Sequence, residues 1–290
     1  MAGWRNSFRR SVTIHAFQRF SQSAVVMALS GLSAVGLAAS DSREGDRLVK
    51  AILITEQTAA VPGKELAVGV HLTIEPKWHV YWRNNGDTGM PVSVTLEETP
   101  GLTFGEVQWP APIRYKSEGE MLDYVHEGQI TLIVPAMVGA EVKPGTTLDL
   151  RAKIDWLVCK DMCLPGEATV TMSVPVAAEA ERSADAAKFD AARRTHPRVP
   201  KAGEASWEWD GVTLAVRVPG AKALAFLPYE SEEGVYPEGM FEGGAADGET
   251  IRVAYPEDVT KVNRVRGVIE VTRGEAKEYL LVDTEGPGPR

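Results

Sequence analysis

The chain has 290 residues, 44% hydrophobic and 24% charged, with 31 Lys+Arg against 40 Asp+Glu, five His and two Cys. This is a globular composition with room for one large core or two ordinary ones. A formal charge of −9 argues against non-specific binding to nucleic acid or anionic lipid, and two cysteines exclude a disulfide-dense scaffold or a four-cysteine zinc site.

Residues 1–40 carry Arg5, Arg9, Arg10 and Arg19 and no lysine or acidic residue. Ala24 to Ala39 is apolar and small, and Ala38-Ala39-Ser40 offers a cleavage site. A basic segment, a short apolar run and small residues predict a secretory signal peptide over 1–40. The alternative is a retained anchor, for which sixteen residues interrupted by Gly31 and Gly36 are short. Setting the four arginines aside leaves 27 basic residues against 40 acidic ones, so the remainder carries −13. No later stretch has the ~20 apolar residues of a membrane span. The expectation is an exported protein with no membrane span after signal removal, in a compartment where two nearby cysteines pair.

Strand-like alternation dominates from Leu48 to Val176. Leu66, Val68, Val70, Leu72 and Ile74 mark one face, and Leu148, Leu150, Ala152, Ile154, Trp156 and Val158 mark another. Period-two patterning of this length marks half-buried antiparallel strands. Further strands are expected at 48–57, 78–83, 91–96, 102–109, 130–134 and 167–176, divided by Pro/Gly turns. About eight short strands over 45–178 predict an immunoglobulin-like β-sandwich. The segment 110–128 shows little strand pattern, and long connections of that kind are usually functional or disordered. The Ala-rich, Gly- and Pro-free run 177–195 predicts a helix ending before His196-Pro197, within a helix-and-linker segment 179–202. Strand patterns at 205–218, 222–227, 250–255, 266–272 and 277–282 predict a second, smaller β-domain over 203–285. The fold class is therefore all-β.

Cys159 and Cys163 lie four residues apart, just past the best strand. The even-numbered residues of that strand are apolar up to Val158, so Cys159 points off the core face if the strand persists. Chain-entropy bookkeeping gives a disulfide closing about five residues roughly 2 kcal/mol, against roughly 4.4 for one closing about 70. Such a pair is a weak staple. Three readings stay open: a redox-active pair cycling by thiolate exchange, an inert local clip, and a Cu(I) site in which Cys159, Cys163 and Met162 supply soft sulfur ligands. Trp78, Val80 and Trp82 share one face of their strand and read as core, while His79, Tyr81 and Arg83 share the other and are candidates to border the cysteines. Asn84 to Gly89, "NNGDTG", reads as a turn, and His126 as a solvated loop residue.

The segments "KWHVYWRNNGDTGMPVSV", "VQWPAPIRY", "DYVHEG" and "WLVCKDMCLPGEA" occur in this order. In order and spacing they resemble the N-terminal periplasmic domain of DsbD-type thiol:disulfide reductases, most closely the ScsB-related branch whose pair is also Cys-x₃-Cys. The resemblance covers about 45–178 well and the rest loosely. It implies an immunoglobulin-like domain whose catalytic pair, here Cys159 and Cys163, takes electrons from a membrane-embedded thiol reductase and passes them to oxidised periplasmic proteins without a cofactor. That is a protein-disulfide reductase component of the kind serving cytochrome c biogenesis or copper tolerance. It also implies a cap loop with a shielding aromatic, placed by a loose alignment at Glu118–Gly128 with Tyr124 as the ring and Asp123 and Tyr81 beside it. The family continues into a multi-helix membrane domain and a thioredoxin-like domain, whereas this sequence ends at "EGPGPR", so the expectation is that a separate partner supplies the electrons or that the protein works as an acceptor or chaperone.

Overall fold

The computed structural model describes residues 43–288. The expected signal peptide lies outside them. Ten strands form the first sandwich: β1 (Val49–Thr55), β2 (Glu65–Ile74), β3 (His79–Gly86), β4 (Ser93–Leu96), β5 (Leu102–Phe104), β6 (Ile113–Ser117), β7 (Met121–Glu127), β8 (Gln129–Val138), β9 (Thr147–Cys159) and β10 (Cys163–Pro175). One sheet has the order β1-β2-β8-β5, and the other has the order β10-β9-β3-β7-β6 with β4 also paired to β9. The residues of both predicted alternations, Leu66 to Ile74 and Leu148 to Val158, meet in a single buried core between the sheets. Alternation on each strand puts the apolar set inward because successive side chains point to opposite faces.

β2 departs from simple alternation, since Ala67, Gly69 and His71 on its outer face are buried as well. The helix α1 (Ala186–Arg193) covers that face, packing Phe189 and Ala192 on Ile54, Ala67 and Ile133. A β-carbon on Gly69 would lie 2.8 Å from the tip of the Phe189 ring, so only glycine lets the helix sit this close. The helix is shorter than the predicted 177–195. Residues before it run extended beside the end of β1, where Thr58 N–H donates to Glu181 O and Ser183 N–H to Glu56 O. A short Ala-rich helix is marginal in water, so these backbone hydrogen bonds win locally.

Seven strands form the second sandwich: β11 (Ser206–Asp210), β12 (Thr213–Arg217), β13 (Ala223–Pro228), β14 (Ala245–Asp247), β15 (Thr250–Ala254), β16 (Arg264–Arg273) and β17 (Ala276–Glu285). Sheets of order β11-β12-β15 and β14-β13-β16-β17 enclose a separate core that includes Leu214, Val216, Phe226, Val253, Ile269 and Leu280. The all-β, immunoglobulin-like class is what the structure shows. The two sandwiches meet through Trp82, Leu122 and Tyr124 of the first and Leu227, Tyr229 and Val268 of the second. Asn84 Nδ2 donates to Pro228 O at 2.8 Å, and Arg83 holds Glu230 bidentately with its guanidinium over the Tyr229 ring.

The segment 110–128 corrects the sequence reading. It is a hairpin, β6–β7, hydrogen-bonded into the sheet beside β3. β7 is buried on both faces, so its sequence "MLDYVHE" has no polar–apolar contrast to betray a strand. His126 is accordingly no solvated loop residue: it is buried, its ring stacks on Trp109 with centroids 6.4 Å apart, and its Nε2 has no partner. Burial holds its pKa down to about 3, against an ordinary 6.5. The fold therefore prefers neutral His126. This contribution is intact above pH 6.5 and is lost as pH falls from 6.5 toward 3, at about 1.4 kcal/mol per pH unit, because the unfolded chain takes up a proton that the folded one refuses. His126→Phe, which keeps the stacking, is expected to reduce the stability lost between pH 6.5 and 5 by about 2 kcal/mol in denaturant titrations. Equal losses in both proteins would refute this.

Candidate functional site around the cysteine pair

β9 runs unbroken from the core to Cys159, and β10 begins at Cys163, so the two cysteines face each other across the hairpin. A three-residue turn, Lys160 to Met162, joins them, with Lys160 N–H donating to Met162 O at 3.1 Å. The sulfurs form a disulfide with Cα atoms 4.1 Å apart. Strand parity separates Cys159 from the sandwich core. Val158 is in that core, while Cys159 sits on the opposite face in a small cluster with Tyr81 and Val125, edged by Tyr115 and Leu157. The two cysteines are unequally exposed: Cys159 is 2% exposed, whereas Cys163 is exposed.

Tyr81 is the aromatic ring over the pair. It is 1% exposed, and its hydroxyl lies 3.8 Å from Cys163 Sγ and 3.4 Å from Thr88 Oγ1. A disulfide sulfur has no proton, so the tyrosine O–H is the donor to sulfur. Burial pushes the Tyr81 pKa above its ordinary value, which keeps that O–H protonated at neutral pH.

The segment read as a plain turn lies across Tyr81. Asp123 accepts from Thr88 N–H at 2.8 Å and from Thr88 Oγ1 at 2.6 Å, and Asp87 accepts from Leu122 N–H at 2.7 Å. A β-carbon on Gly89 would fall 2.0 Å from the Tyr81 ring, and Gly89 has φ +73°, so glycine is required twice over. The covering loop is therefore 86–90, between β3 and β4, and Asp123 fastens it from β7.

Tyr124 is elsewhere. Tyr115 pairs with Asp123 and Tyr81 with Val125, so the odd-numbered residues of β7 face the disulfide and Tyr124 faces the other way. It is 2% exposed against Trp82, 6.1 Å between ring centroids, in the joint with the second sandwich. Tyr124 thus corrects the expected shielding ring by one residue of parity. Arg83 is also drawn off, to Glu230. His79 and Tyr81 do border the cysteines, and Trp82 and Val80 are buried. Met162 is 62% exposed at the tip of the turn. Among the described residues no group of three or more His, Cys, Asp or Glu side chains lies together as a metal site.

Thr88 and Gly89 were missed as site residues because their role depends on a loop folding back over a ring five or more positions earlier. The "DTG" between two strands was the available signal. Gly89→Ala is expected to dislodge the loop and raise the alkylation rate of reduced Cys163 several-fold. An unchanged rate in a folded variant would show that the loop does not shield the sulfur.

Residues 50–175 match the family model of the N-terminal domain of the thiol:disulfide interchange protein DsbD. This part of the chain is a DsbD-type N-terminal domain. The structure resembles the N-terminal periplasmic domain of ScsB from Proteus mirabilis with a TM-score of 0.52 at 12% identity, covering 82% of this chain and 92% of that one. At that identity the likeness establishes the fold, and it extends past the DsbD-type domain into the second sandwich. A variant of the major pilin subunit BcpA of Bacillus cereus (TM-score 0.25, 11% identity, 81% of this chain and 66% of that one) and the Escherichia coli chaperone DraB (0.21, 12%, 80% and 98%) are more distant. No curated protein matches in sequence. The DsbD-type domain is thus a thiol:disulfide interchange domain holding a disulfide, and no helix among the described residues is long and apolar enough to cross a membrane.

Proposed function

We propose that the Cys159–Cys163 pair is a redox-active disulfide of an exported, periplasmic protein, carrying electrons from a membrane-embedded thiol reductase to oxidised periplasmic proteins. The observation that carries this reading is the asymmetry of the pair: Cys163 is an exposed residue with its sulfur beside a tyrosine hydroxyl, and Cys159 is buried. A structural clip has no use for this arrangement, and a five-residue closure stabilises by only about 2 kcal/mol.

The asymmetry orders the steps. A donor thiolate attacks Cys163 Sγ, the disulfide breaks, and the electron pair leaves on Cys159 Sγ. A second donor thiolate then attacks the donor sulfur of the mixed disulfide and releases reduced Cys163. Toward an oxidised substrate the sequence reverses: Cys163 thiolate attacks the substrate disulfide, and Cys159 closes back onto Cys163 and releases the substrate as a dithiol.

Equilibration with glutathione or dithiothreitol buffers tests the reading. A potential above about −300 mV, within reach of cellular thiol donors, is expected, and one well below it would make the bond a structural clip.

A further inference from the structure

His79 stands in β3 between Cys159 of β9 and Glu127 of β7. Both pairings are in register, so the three side chains form one row across three strands on the face that carries the disulfide. Directly opposed residues of antiparallel strands have Cβ atoms about 4.5–5.5 Å apart. His79 is 4% exposed and Cys159 2%, while Glu127 is at the surface. The imidazole is held edge-on to Tyr81, centroids 5.5 Å apart, and against Tyr115 at 4.8 Å. The titratable groups facing it are therefore Cys159 from β9, Glu127 and Asp123 from β7, Tyr115 from β6 and Tyr81 from its own strand. Burial lowers the His79 pKa, and the charges of Glu127 and Asp123 act in the opposite direction. The ring is neutral at neutral pH, which is its proton-accepting form.

The exchange sequence leaves one proton without a destination. Cys159 must close the ring as a thiolate, yet it is 2% exposed and shut away from the water that would otherwise take its proton. A neighbouring neutral imidazole supplies the missing acceptor, and an acidic residue beyond it stabilises the imidazolium, as in nucleophile–base–acid rows generally.

We propose that His79 is the general base for Cys159, with Glu127 as a positioning residue acting through His79. The proposal rests on the exchange reading above. Cys159 Sγ–H gives its proton to the His79 ring, and the thiolate attacks Cys163 Sγ of the mixed disulfide. The Cys159–Cys163 bond forms, the bond from Cys163 to the substrate sulfur breaks, and the electron pair leaves with that sulfur. The imidazolium proton then passes to the departing thiolate through solvent. The protein pair is oxidised by two electrons and the substrate disulfide reduced by two.

Reaction of the fully reduced protein with dithiodipyridine tests this, because attack by Cys163 and closure by Cys159 each release one pyridinethione. His79→Gln is expected to lower the rate of the second release relative to the first by tenfold or more at pH 7. The deficit should vanish near pH 10, where hydroxide takes the thiol proton. Glu127→Gln is expected to move the acid limb of the second release to lower pH. An unchanged ratio, or a deficit equal at every pH, overturns the proposal while leaving exchange standing. If the wild-type protein releases no pyridinethione, exchange itself falls and this falls with it. If His79→Gln does not fold, the surface change Glu127→Gln decides alone, and no shift in its profile overturns the proposal.

Discussion

Cys159→Ser is expected to hold a partner or small-molecule disulfide as a stable adduct on Cys163, while Cys163→Ser forms almost none. In the first variant the exposed cysteine remains, and the buried one that would expel the adduct is gone. In the second variant the remaining thiol is 2% exposed beneath Tyr81 and Val125. It reacts only when the β9–β10 hairpin or its cover opens, and local opening of a packed element makes reaction rare. A difference of about 10²-fold in alkylation rate between the two single-cysteine proteins is the expected magnitude. Mass spectrometry after a timed pulse of iodoacetamide reads it directly. Equal rates would mean that the order of attack is not set by burial, and the assignment of Cys163 as the entry sulfur would be withdrawn.

Trp82→Ala carries the largest expected loss of stability. Trp82 is fully buried where the two sandwiches meet, with Tyr229 at 5.5 Å and Tyr124 at 6.1 Å between ring centroids. Removing a buried tryptophan costs about 3–5 kcal/mol, from lost transfer energy and the cavity left behind. For a chain of this size that lowers the melting temperature by roughly 10 °C. The indole Nε1 has no hydrogen-bond partner, so Trp82→Phe gives up volume but also relieves an unsatisfied donor. It is expected to cost well under half as much as the alanine change. Matching losses for Phe and Ala would show that the joint depends on the indole itself and not on filled volume. Tyr124→Ala should destabilise in the same way without speeding alkylation of Cys163, because Tyr124 points away from the face of the sheet that holds the disulfide.

These two predictions bring out what the second sandwich does for the site. Val80 is packed in the first sandwich's core, whereas Trp82, two positions on and on the same face of β3, lies beyond it and is covered by Leu227, Tyr229 and Val268. Tyr81 lies between them and faces the disulfide. The second sandwich thus backs the strands whose other face holds the disulfide, and Asn84 is tied to it by a hydrogen bond to Pro228 just before the covering loop.

Parity was the most legible signal. From the alternation ending at Val158 it follows that Cys159 leaves the core face, and the same reasoning set His79 and Tyr81 apart from Val80 and Trp82. It failed on β7, where apolar and polar residues are buried alike and no contrast survives. Without that strand the motifs point to a cap loop at Glu118–Gly128 and to Tyr124, whose ring lies on the face of β7 away from the disulfide.

The sequence by itself determined the strand-rich class, the face on which Cys159 lies and the family of the domain that carries the cysteines, because these rest on local periodicity and on short motifs. Only the tertiary structure decided which cysteine is exposed, that Gly86–Met90 and not Glu118–Gly128 covers the ring, and that Cys159, His79 and Glu127 share a row. Those relations join residues up to about eighty positions apart through strand register. Register is set by which faces are buried against which partners, and no single strand's pattern contains that.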